Sequence, residues 1–247
     1  MRRKGQHFLV DRSTAERIAQ YAELKRDDRV LEIGPGTGSL TEVLAGRAER
    51  VFAVEVDPRL AADLRGTFSN VQVIEGDALQ VELPECNKIV SNLPYQISSK
   101  ITYRLLSLSF DLAVLMFQRE FAERMVAPAR SREYGRLGMV VGYLCDAEVL
   151  EIVPRSAFRP MPEVESAIVR LRRRRVELNP TAFMRFAEVL FRNRRKKVKK
   201  ALAAMGLSRE KMACFDALLL ERRPEELTPM EAAGLAASIF HGGLRTL

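Results

Sequence analysis

The 247-residue sequence contains only two histidines and three cysteines. A metal centre or a catalytic triad built on histidine is therefore unexpected, because only His7 and His241 could contribute to it. The cysteines, Cys86, Cys145 and Cys214, lie far apart and form no C-x-x-C pair. This spacing predicts neither a disulfide framework nor a zinc site, and it indicates a reducing, intracellular environment and no bound metal.

Long apolar segments are also missing from the sequence. No apolar run approaches the length that crosses a bilayer, and the apolar stretch after the basic N-terminus is too short for a secretory signal peptide. We therefore expect a cytoplasmic protein with no membrane association. We further expect it to be a monomer.

Positive charge is plentiful and concentrated. The net charge is +8, and residues 170–200 contain thirteen basic and two acidic side chains, so this segment carries +11 and the rest of the chain −3. A cluster of positive charge attracts polyanions and makes their binding salt-dependent. The clustering favours a nucleic-acid partner over a charged surface that is merely solvated.

Strands and helices alternate from residue 29 onwards, which predicts an α/β fold with a parallel sheet covered by helices on both faces. Short apolar runs indicate the strands, and segments of helical periodicity follow them. The predicted strands are RVLEIG (29–34), VFAVEVD (51–57), VQVIEGD (71–77), KIVSNLP (88–94) and DLAVLMFQ (111–118). The predicted helices cover 37–48, 58–68, 97–108 and 119–127.

This pattern changes near residue 137. The segment LGMVVGYL (137–144) is ambiguous between helix and strand, whereas 146–153 and 164–171 predict a β-hairpin that adds an antiparallel edge to the sheet. From residue 181 the periodicity is helical, over 181–193, 194–206, about 208–221 and 229–240. We therefore predict an α/β domain over 1–176 and a small helical domain, for RNA binding, over 177–247.

A glycine-rich loop, EIGPGTG (32–38), joins the first of these strands to its helix. Its glycines, Gly34, Gly36 and Gly38, let the backbone turn sharply and approach a ligand at the edge of the sheet where doubly wound folds bind ligands. Carboxylates lie at the ends of the next two strands. Glu55 is placed to hold both ribose hydroxyls of an adenosine, and Asp77 to accept a hydrogen bond from its adenine amine.

Two adenosine-containing cofactors, NAD and S-adenosylmethionine, satisfy this pattern. The dinucleotide fingerprint G-x-G-x-x-G places a pyrophosphate on a helix N-terminus. The third glycine of this loop comes one residue earlier. The tighter loop favours S-adenosylmethionine, which has no pyrophosphate.

The tetrapeptide Asn92-Leu93-Pro94-Tyr95 ends the fourth predicted strand at the same edge of the sheet. The Asn92 side-chain oxygen and a main-chain carbonyl of Leu93 or Pro94 can accept hydrogen bonds from an exocyclic adenine amine, and Tyr95 can stack on the base. Acceptors held in this way orient the nitrogen toward a methyl donor. Alone, the tetrapeptide would indicate a strand end and a turn. Its position after the glycine loop and Asp77 predicts a methyl-acceptor site.

Motifs along most of the chain resemble the ribosomal RNA adenine N6-dimethyltransferase family, and its archaeal small-subunit members most of all. They are GQHFLVD (5–11), VLEIGPGTGSLT (30–41), VEVDPRL (54–60), GDAL (76–79), NLPYQISSKI (92–101), MFQREFAERMVA (116–127), YGRLG (134–138) and AFRPMPEVESAIVRL (157–171). The resemblance implies a Rossmann-like class I methyltransferase fold with S-adenosylmethionine as cofactor. It also implies dimethylation of two adjacent adenosines in a hairpin near the 3′ end of small-subunit (16S) ribosomal RNA, in the immature 30S subunit.

The resemblance also assigns further cofactor residues. It implies that His7 and Leu9 line the segment where the cofactor enters and that Gly34 lies under its methionine part. It adds Gly36, Gly38 and Ala78 to the same site, beside Glu55 and Asp77.

On the target side, the resemblance implies that Asn92 lies beside both the cofactor and the target amine. It implies that Tyr95 and Phe158 sandwich the target adenine, although Phe158 alone could equally be a buried aromatic in a proline-rich turn. Gln6 and Arg119 match family motifs without an assigned chemistry.

Basic side chains near the predicted domain boundary are the candidates for contact with the RNA backbone. They are Arg172, Arg173, Arg174, Arg192, Arg194, Arg195, Lys196 and Lys197. We expect phosphate contacts to position the substrate, while stacking and shape select the adenosine.

Two other functions remain as alternatives. A non-catalytic nucleic-acid-binding or ribosome-assembly factor on the same scaffold would predict degraded glycine, Asn92 or Tyr95 positions, and all of these are intact. A NAD-dependent oxidoreductase is disfavoured by the glycine spacing, the tetrapeptide and the concentrated positive charge.

Overall fold

The computed structural model describes residues 6–241, apart from the side chains of Arg209 and His241. The strands are β1 (Phe8–Leu9), β2 (Arg29–Ile33), β3 (Arg50–Glu55), β4 (Val71–Glu75), β5 (Lys88–Asn92), β6 (Leu112–Gln118), β7 (Cys145–Val153), β8 (Phe158–Arg159) and β9 (Ser166–Arg173). The helices are α1 (Arg12–Tyr21), α2 (Ser39–Ala45), α3 (Pro58–Leu64), α4 (Ser98–Leu106), α5 (Arg119–Val126), α6 (Arg136–Leu144), α7 (Pro180–Arg192), α8 (Val198–Ala204), α9 (Arg209–Met212), α10 (Ala217–Glu221) and α11 (Pro229–His241). The basic N-terminus and the His241 side chain, both considered above, lie outside the described residues.

The large sheet has the strand order β4-β3-β2-β5-β6-β9-β7. Strands β4, β3, β2, β5 and β6 are parallel, and β9 runs antiparallel to β6 with Ile168 opposite Met116. The predicted α/β class and its antiparallel addition are therefore confirmed. Separately, β1 and β8 form a short antiparallel pair in which Leu9 lies opposite Phe158.

The middle of the sheet is apolar because helices cover it, as is usual for parallel strands. Val90 of β5 and Val114 of β6 are completely buried in one cluster with Ile18 of α1 and Leu44 of α2. Helix α1 precedes the region where the sequence pattern predicted regular structure. It begins after Asp11, whose carboxylate caps the helix by accepting a 3.0 Å hydrogen bond from the Thr14 N–H.

The ambiguous segment 137–144 lies in helix α6. The helix predicted to begin at residue 194 begins only at Val198. A turn separates it from α7, because Asn193 ends that helix and its carbonyl accepts a 2.7 Å hydrogen bond from the Lys196 N–H. Four consecutive basic residues, 194–197, therefore lie in a connection instead of on a helix face.

The chain divides into two compact units. The first contains residues up to 122 together with 147–173, and the second contains 123–146 together with 174–247. The predicted boundary at 176 lies close to the passage from 173 to 174. Residues 123–146 belong to the helical unit because α6 packs on α7, where the rings of Tyr143 and Phe183 are 4.3 Å apart, and on α11.

Candidate active site

The site lies where the sheet reverses its order. From β2 the chain proceeds outward through β3 and β4, and then returns to place β5 on the other side of β2. Pairing of β2 with β5 stops at Leu31 and Ile89. Beyond it the Ile33 N–H donates to the buried Ser91 hydroxyl at 2.6 Å. The strands diverge at their carboxyl ends, and such a reversal is where open α/β sheets bind ligands.

The glycine loop forms one wall of a pocket at this point. Gly34 and Gly36 have φ values of +69° and +58°, which disfavour other residues. A Cβ atom on Gly36 would lie 2.8 Å from the Phe8 ring, and one on Gly34 would lie 3.1 Å from the Pro94 ring. The loop backbone is thus held closely between the β1 segment and the tetrapeptide.

Glu55 lies at the end of β3 and lines the same pocket. Its side chain is almost completely buried. One carboxylate oxygen accepts a hydrogen bond from the Gly36 N–H at 3.1 Å and the other accepts one from the Asp57 N–H at 2.9 Å. Each oxygen has a second lone pair, so the carboxylate can accept further bonds from hydroxyls in the pocket.

Asp77 follows β4 and also lines the pocket, together with Ala78. The Asp77 carboxylate accepts hydrogen bonds from the Leu79 N–H at 2.9 Å and from the Gln80 side-chain amide at 3.3 Å. These bonds fix the direction of the carboxylate and leave acceptor capacity for a ligand amine.

Glu32 is a pocket residue that the sequence analysis did not select. Its carboxyl group is buried and accepts a 2.7 Å hydrogen bond from the Thr41 hydroxyl. Burial raises the pKa of Glu32 to about 8, with a smaller contribution from the charge of Glu55. The signal available in the sequence was a glutamate inside an apolar strand directly before the glycine loop.

The tetrapeptide leaves β5 next to the glycine loop and also lines the pocket. Asn92 is half-buried beside Met116 of β6, and the Leu93 N–H donates to the Met116 carbonyl at 3.3 Å. The Asn92 side-chain amide has no hydrogen-bond partner within residues 6–241. The Pro94 carbonyl accepts bonds from the Ile97 N–H at 3.2 Å and the Ser98 hydroxyl at 3.4 Å. Because it has no such partner, the Asn92 side-chain amide is available to a ligand in the pocket.

Tyr95 is half-buried and lines the pocket close to His7. The two ring centroids are 5.6 Å apart with an interplanar angle of 32°. Burial raises the pKa of Tyr95 above its ordinary value. The hydroxyl is therefore neutral near neutral pH and is engaged with Ser166, 2.6 Å away.

Not every predicted site residue reaches this pocket. His7, Leu9, Gly34, Gly36, Glu55, Asp77, Ala78, Asn92, Leu93, Pro94 and Tyr95 line it. Gly38 lies outside the lining, at the start of α2, where a Cβ atom would lie 3.0 Å from Leu64. Phe158 is also outside: its ring is completely buried in the core cluster with Ile18 and Ile168. In this structure Phe158 packs the core, because β8 pairs with β1 and directs the ring inward.

Most of the predicted RNA-binding side chains already form ion pairs or hydrogen bonds within the protein. In the first unit, Arg172 pairs with Glu23, and the Arg173 guanidinium donates to the Leu106 carbonyl at 2.8 Å. In the second unit, Arg174 pairs with Asp146. There the remaining ion pairs are Arg192 with Glu188, Arg194 with Glu225, and Lys197 with Glu221. Among the described residues, Arg195 and Lys196 are exposed and form no ion pair.

Comparison with known proteins identifies the family. Residues 1–231 match the family described as ribosomal RNA adenine dimethylase. The chain belongs to the ribosomal RNA adenine dimethylase family. It is an S-adenosylmethionine-dependent methyltransferase, as the sequence predicted, and the relatives give no support to the non-catalytic alternative.

Archaeal members of the family are similar over nearly the whole chain. A protein of Methanosarcina mazei named probable ribosomal RNA small subunit methyltransferase A is 44% identical over 247 residues, covering 95% of this chain and 91% of the relative. A protein of the same name from Methanopyrus kandleri is 42% identical and covers 96% of this chain and 91% of its own length. The predicted archaeal character is therefore confirmed.

Two solved structures extend the comparison to the fold. A dimethyladenosine transferase from Plasmodium falciparum has a TM-score of 0.83 and 28% identity, covering 96% of this chain and 98% of that one. The 23S rRNA methyltransferase ErmE has a TM-score of 0.66 and 33% identity, covering 91% and 98%. The predicted class I methyltransferase fold is confirmed.

The pocket suits the cofactor of this family. Its lining within residues 6–241 includes three carboxyl groups, those of Glu32, Glu55 and Asp77, and no lysine or arginine. The carboxylates of Glu55 and Asp77 would repel a pyrophosphate, whereas the cationic sulfonium of S-adenosylmethionine is compatible with this lining. The Pro94 and Phe8 rings fill the space that Cβ atoms on Gly34 and Gly36 would need, so glycine at these positions keeps the loop backbone close to both rings at the pocket.

The described residues meet the requirements of neither a membrane-spanning helix nor a metal site. Of the helices described, none is long and apolar enough to span a bilayer. Across residues 6–241, no group of three or more histidine, cysteine, aspartate or glutamate side chains could hold a metal ion.

Proposed function

We propose that this chain transfers methyl groups to the N6 amines of two adjacent adenosines, in a hairpin near the 3′ end of small-subunit ribosomal RNA. The observation that supports this most directly is the shared pocket. The unpartnered Asn92 amide and the Tyr95 ring line the same cavity as Glu55 and Asp77, at the reversal point of the sheet. A methyl donor and an acceptor base would therefore meet there.

On the cofactor side, the carboxylates have distinct tasks. We infer that Glu55 accepts hydrogen bonds from both ribose hydroxyls, and that Asp77, with Ala78 beside it, meets the adenine amine. Gly34 and Gly36 would bring the backbone against the methionine part, while His7 and Leu9 would border the entrance. S-adenosylmethionine supplies an electrophilic methyl group when it is bound.

On the target side, the tetrapeptide would bind and orient the N6 amine of the adenine. The N6 lone pair of adenine is delocalised into the ring, so the amine is a poor nucleophile. The Asn92 oxygen and the main-chain carbonyl of Leu93 would accept hydrogen bonds from its two N–H groups and orient the lone pair toward the methyl group. Such preorganised acceptors lower the barrier by orientation and electrostatics, so a strong general base is not required. The Pro94 carbonyl, the other predicted acceptor, already accepts bonds from the Ile97 N–H and the Ser98 hydroxyl.

The tyrosine ring would hold the base itself. Tyr95 offers one face for stacking on an unpaired or flipped adenine. Phe158, the predicted second face, is a core residue in this structure. Its proposed contact with the base would therefore require the β8 segment to move.

Basic side chains would bind the RNA backbone by charge. We infer that the exposed cations Arg195 and Lys196 make the first phosphate contacts, since no carboxylate within the described part of the chain pairs with them. Arg172, Arg173, Arg174, Arg192, Arg194 and Lys197 would contribute only when phosphates displace their present partners. The substrate would be the immature 30S subunit in the cytoplasm, and the enzyme would act as a monomer.

The test supplies immature small subunits and isotopically labelled S-adenosylmethionine to the purified protein. Mass spectrometry of nuclease fragments of the RNA should find two methyl groups on each of two neighbouring adenosines. Methylation of large-subunit RNA alone would contradict the proposed substrate. Binding of RNA with no methyl transfer would contradict the proposed activity.

A further inference from the structure

A buried hydrogen bond lies behind the Tyr95 ring. Ser166 begins strand β9 and has no exposed surface. Its hydroxyl oxygen is 2.6 Å from the Tyr95 hydroxyl oxygen, although the two residues are 71 positions apart in the chain. The contact joins the tetrapeptide after β5 to the antiparallel part of the sheet.

The hydrogen bond with Ser166 restricts the orientation of the Tyr95 ring. A phenolic O–H lies preferentially in the plane of its ring, because the oxygen lone pair is conjugated with it. A fixed partner at the hydroxyl therefore resists rotation of the ring about its long axis. A ring that stacks on a base needs a fixed plane, since rotation would misalign the base by an ångström or more.

The surroundings of Ser166 keep it in place. The Arg119 N–H donates to the Glu165 carbonyl at 3.0 Å, and the Arg119 guanidinium donates to the Glu165 carboxylate at 2.9 Å. His7, whose ring lies near that of Tyr95, donates from Nδ1 to the Pro160 carbonyl at 2.8 Å. Arg119 and His7 thus anchor both ends of the connection that leads from β8 to Ser166.

We propose that Ser166 is a positioning residue for methyl transfer, which fixes the plane of the Tyr95 ring against the target adenine. The inference rests on the proposed function, in which Tyr95 stacks on that adenine. It also gives Arg119 a role, because its two bonds to Glu165 hold the backbone directly before Ser166. Ser166 does not touch the reacting atoms in this account.

A double-mutant cycle tests the proposal. The variants are Ser166→Ala, Tyr95→Phe and their combination, with Ser166→Thr as the conservative variant. Each single variant should lower kcat for methylation of immature small subunits by about 5- to 10-fold, the effect of one hydrogen bond, while RNA affinity stays unchanged. The double variant should be no slower than either single one, because both remove the same bond. Ser166→Thr should recover most of the activity.

Tyr21→Phe is a matched control. It removes a phenolic hydroxyl that donates to Glu151 at 3.1 Å, outside the pocket. Its kcat should equal that of the wild type. Thermal denaturation verifies that each variant folds. If Ser166→Ala does not fold, Tyr95→Phe with Ser166 intact still tests the bond.

Wild-type kcat in Tyr95→Phe or Ser166→Ala would overturn the inference. Independent, multiplying losses in the double variant would overturn it too. These results are distinct from a failure of the proposed function, in which the wild-type protein itself would transfer no methyl group to small-subunit RNA.

Discussion

The Thr41 hydroxyl donates a 2.7 Å hydrogen bond to the buried Glu32 carboxyl group, where strand β2 passes into the glycine loop. The bond joins the sheet to helix α2 across the loop. No cation pairs with this carboxyl group among the described residues, so burial dominates its titration.

Folding stability should therefore depend on pH through Glu32. Its pKa is raised to about 8 in the folded protein, against a value of about 4.3 in an unfolded chain. Between these values the folded state holds a proton that the unfolded state releases. The free energy of unfolding consequently falls as pH rises through this window.

Replacing Glu32 by glutamine removes this dependence and keeps an oxygen that accepts the Thr41 bond. In urea denaturation without cofactor, the free energy of unfolding of Glu32→Gln should increase relative to that of the wild type as pH rises. The relative increase should be at most about 1.4 kcal/mol per pH unit. A difference that stays constant from acid to about pH 8 would show that folding does not raise the pKa of Glu32.

Cofactor affinity should depend on Glu55. Glu55→Gln removes the charge and one acceptor from the pocket, so S-adenosylmethionine should bind about 10- to 100-fold more weakly by isothermal titration calorimetry. Glu49→Gln makes the same charge change at an exposed position outside the pocket and should bind like the wild type. Equal affinity of both variants would exclude Glu55 from the cofactor site.

RNA affinity should respond to Glu221. This exposed carboxylate pairs with both Lys197 and Lys199, and the two lysines lower the pKa of Glu221 to about 2. Glu221→Gln frees two cations for phosphates and should strengthen RNA binding several-fold at low salt, with a steeper salt dependence.

Glu210→Gln is the matched control for that prediction, because Glu210 is exposed in the same unit and forms no ion pair among the described residues. Both variants raise the net charge by one. If they strengthen RNA binding equally in a salt titration, only the overall charge matters and the lysines beside Glu221 make no direct contact.

The sequence predicted those site residues whose positions follow from strand ends. Gly34, Glu55, Asp77 and Asn92 each lie at the end of an apolar strand or within two residues of it, and parallel strands bring their carboxyl ends to one edge. The spacing of the loop glycines, the tetrapeptide and the concentrated positive charge then favoured S-adenosylmethionine over NAD. These residues line one pocket, as predicted.

Tertiary contacts explain what the sequence did not predict. No sequence pattern around Ser166 predicts its hydrogen bond with Tyr95, which is 71 residues away. The sequence indicated that Arg172, Arg173 and Arg174 were available to bind RNA. In the structure they contact Glu23, the Leu106 carbonyl and Asp146, respectively, which lie in distant elements. The buried position of Phe158 depends on β8 pairing with β1, which are each two residues long and have no detectable periodicity.

Asn92 provides the most direct test of the proposed chemistry. Asn92→Ala removes an amide that has no hydrogen-bond partner among the described residues, so the variant should fold normally and bind small-subunit RNA like the wild type. Its rate of methyl transfer to immature small subunits, measured with labelled S-adenosylmethionine, should fall at least about 100-fold, since one acceptor of the reacting amine is lost. Transfer at the wild-type rate would contradict the assignment of this pocket to the target adenosine.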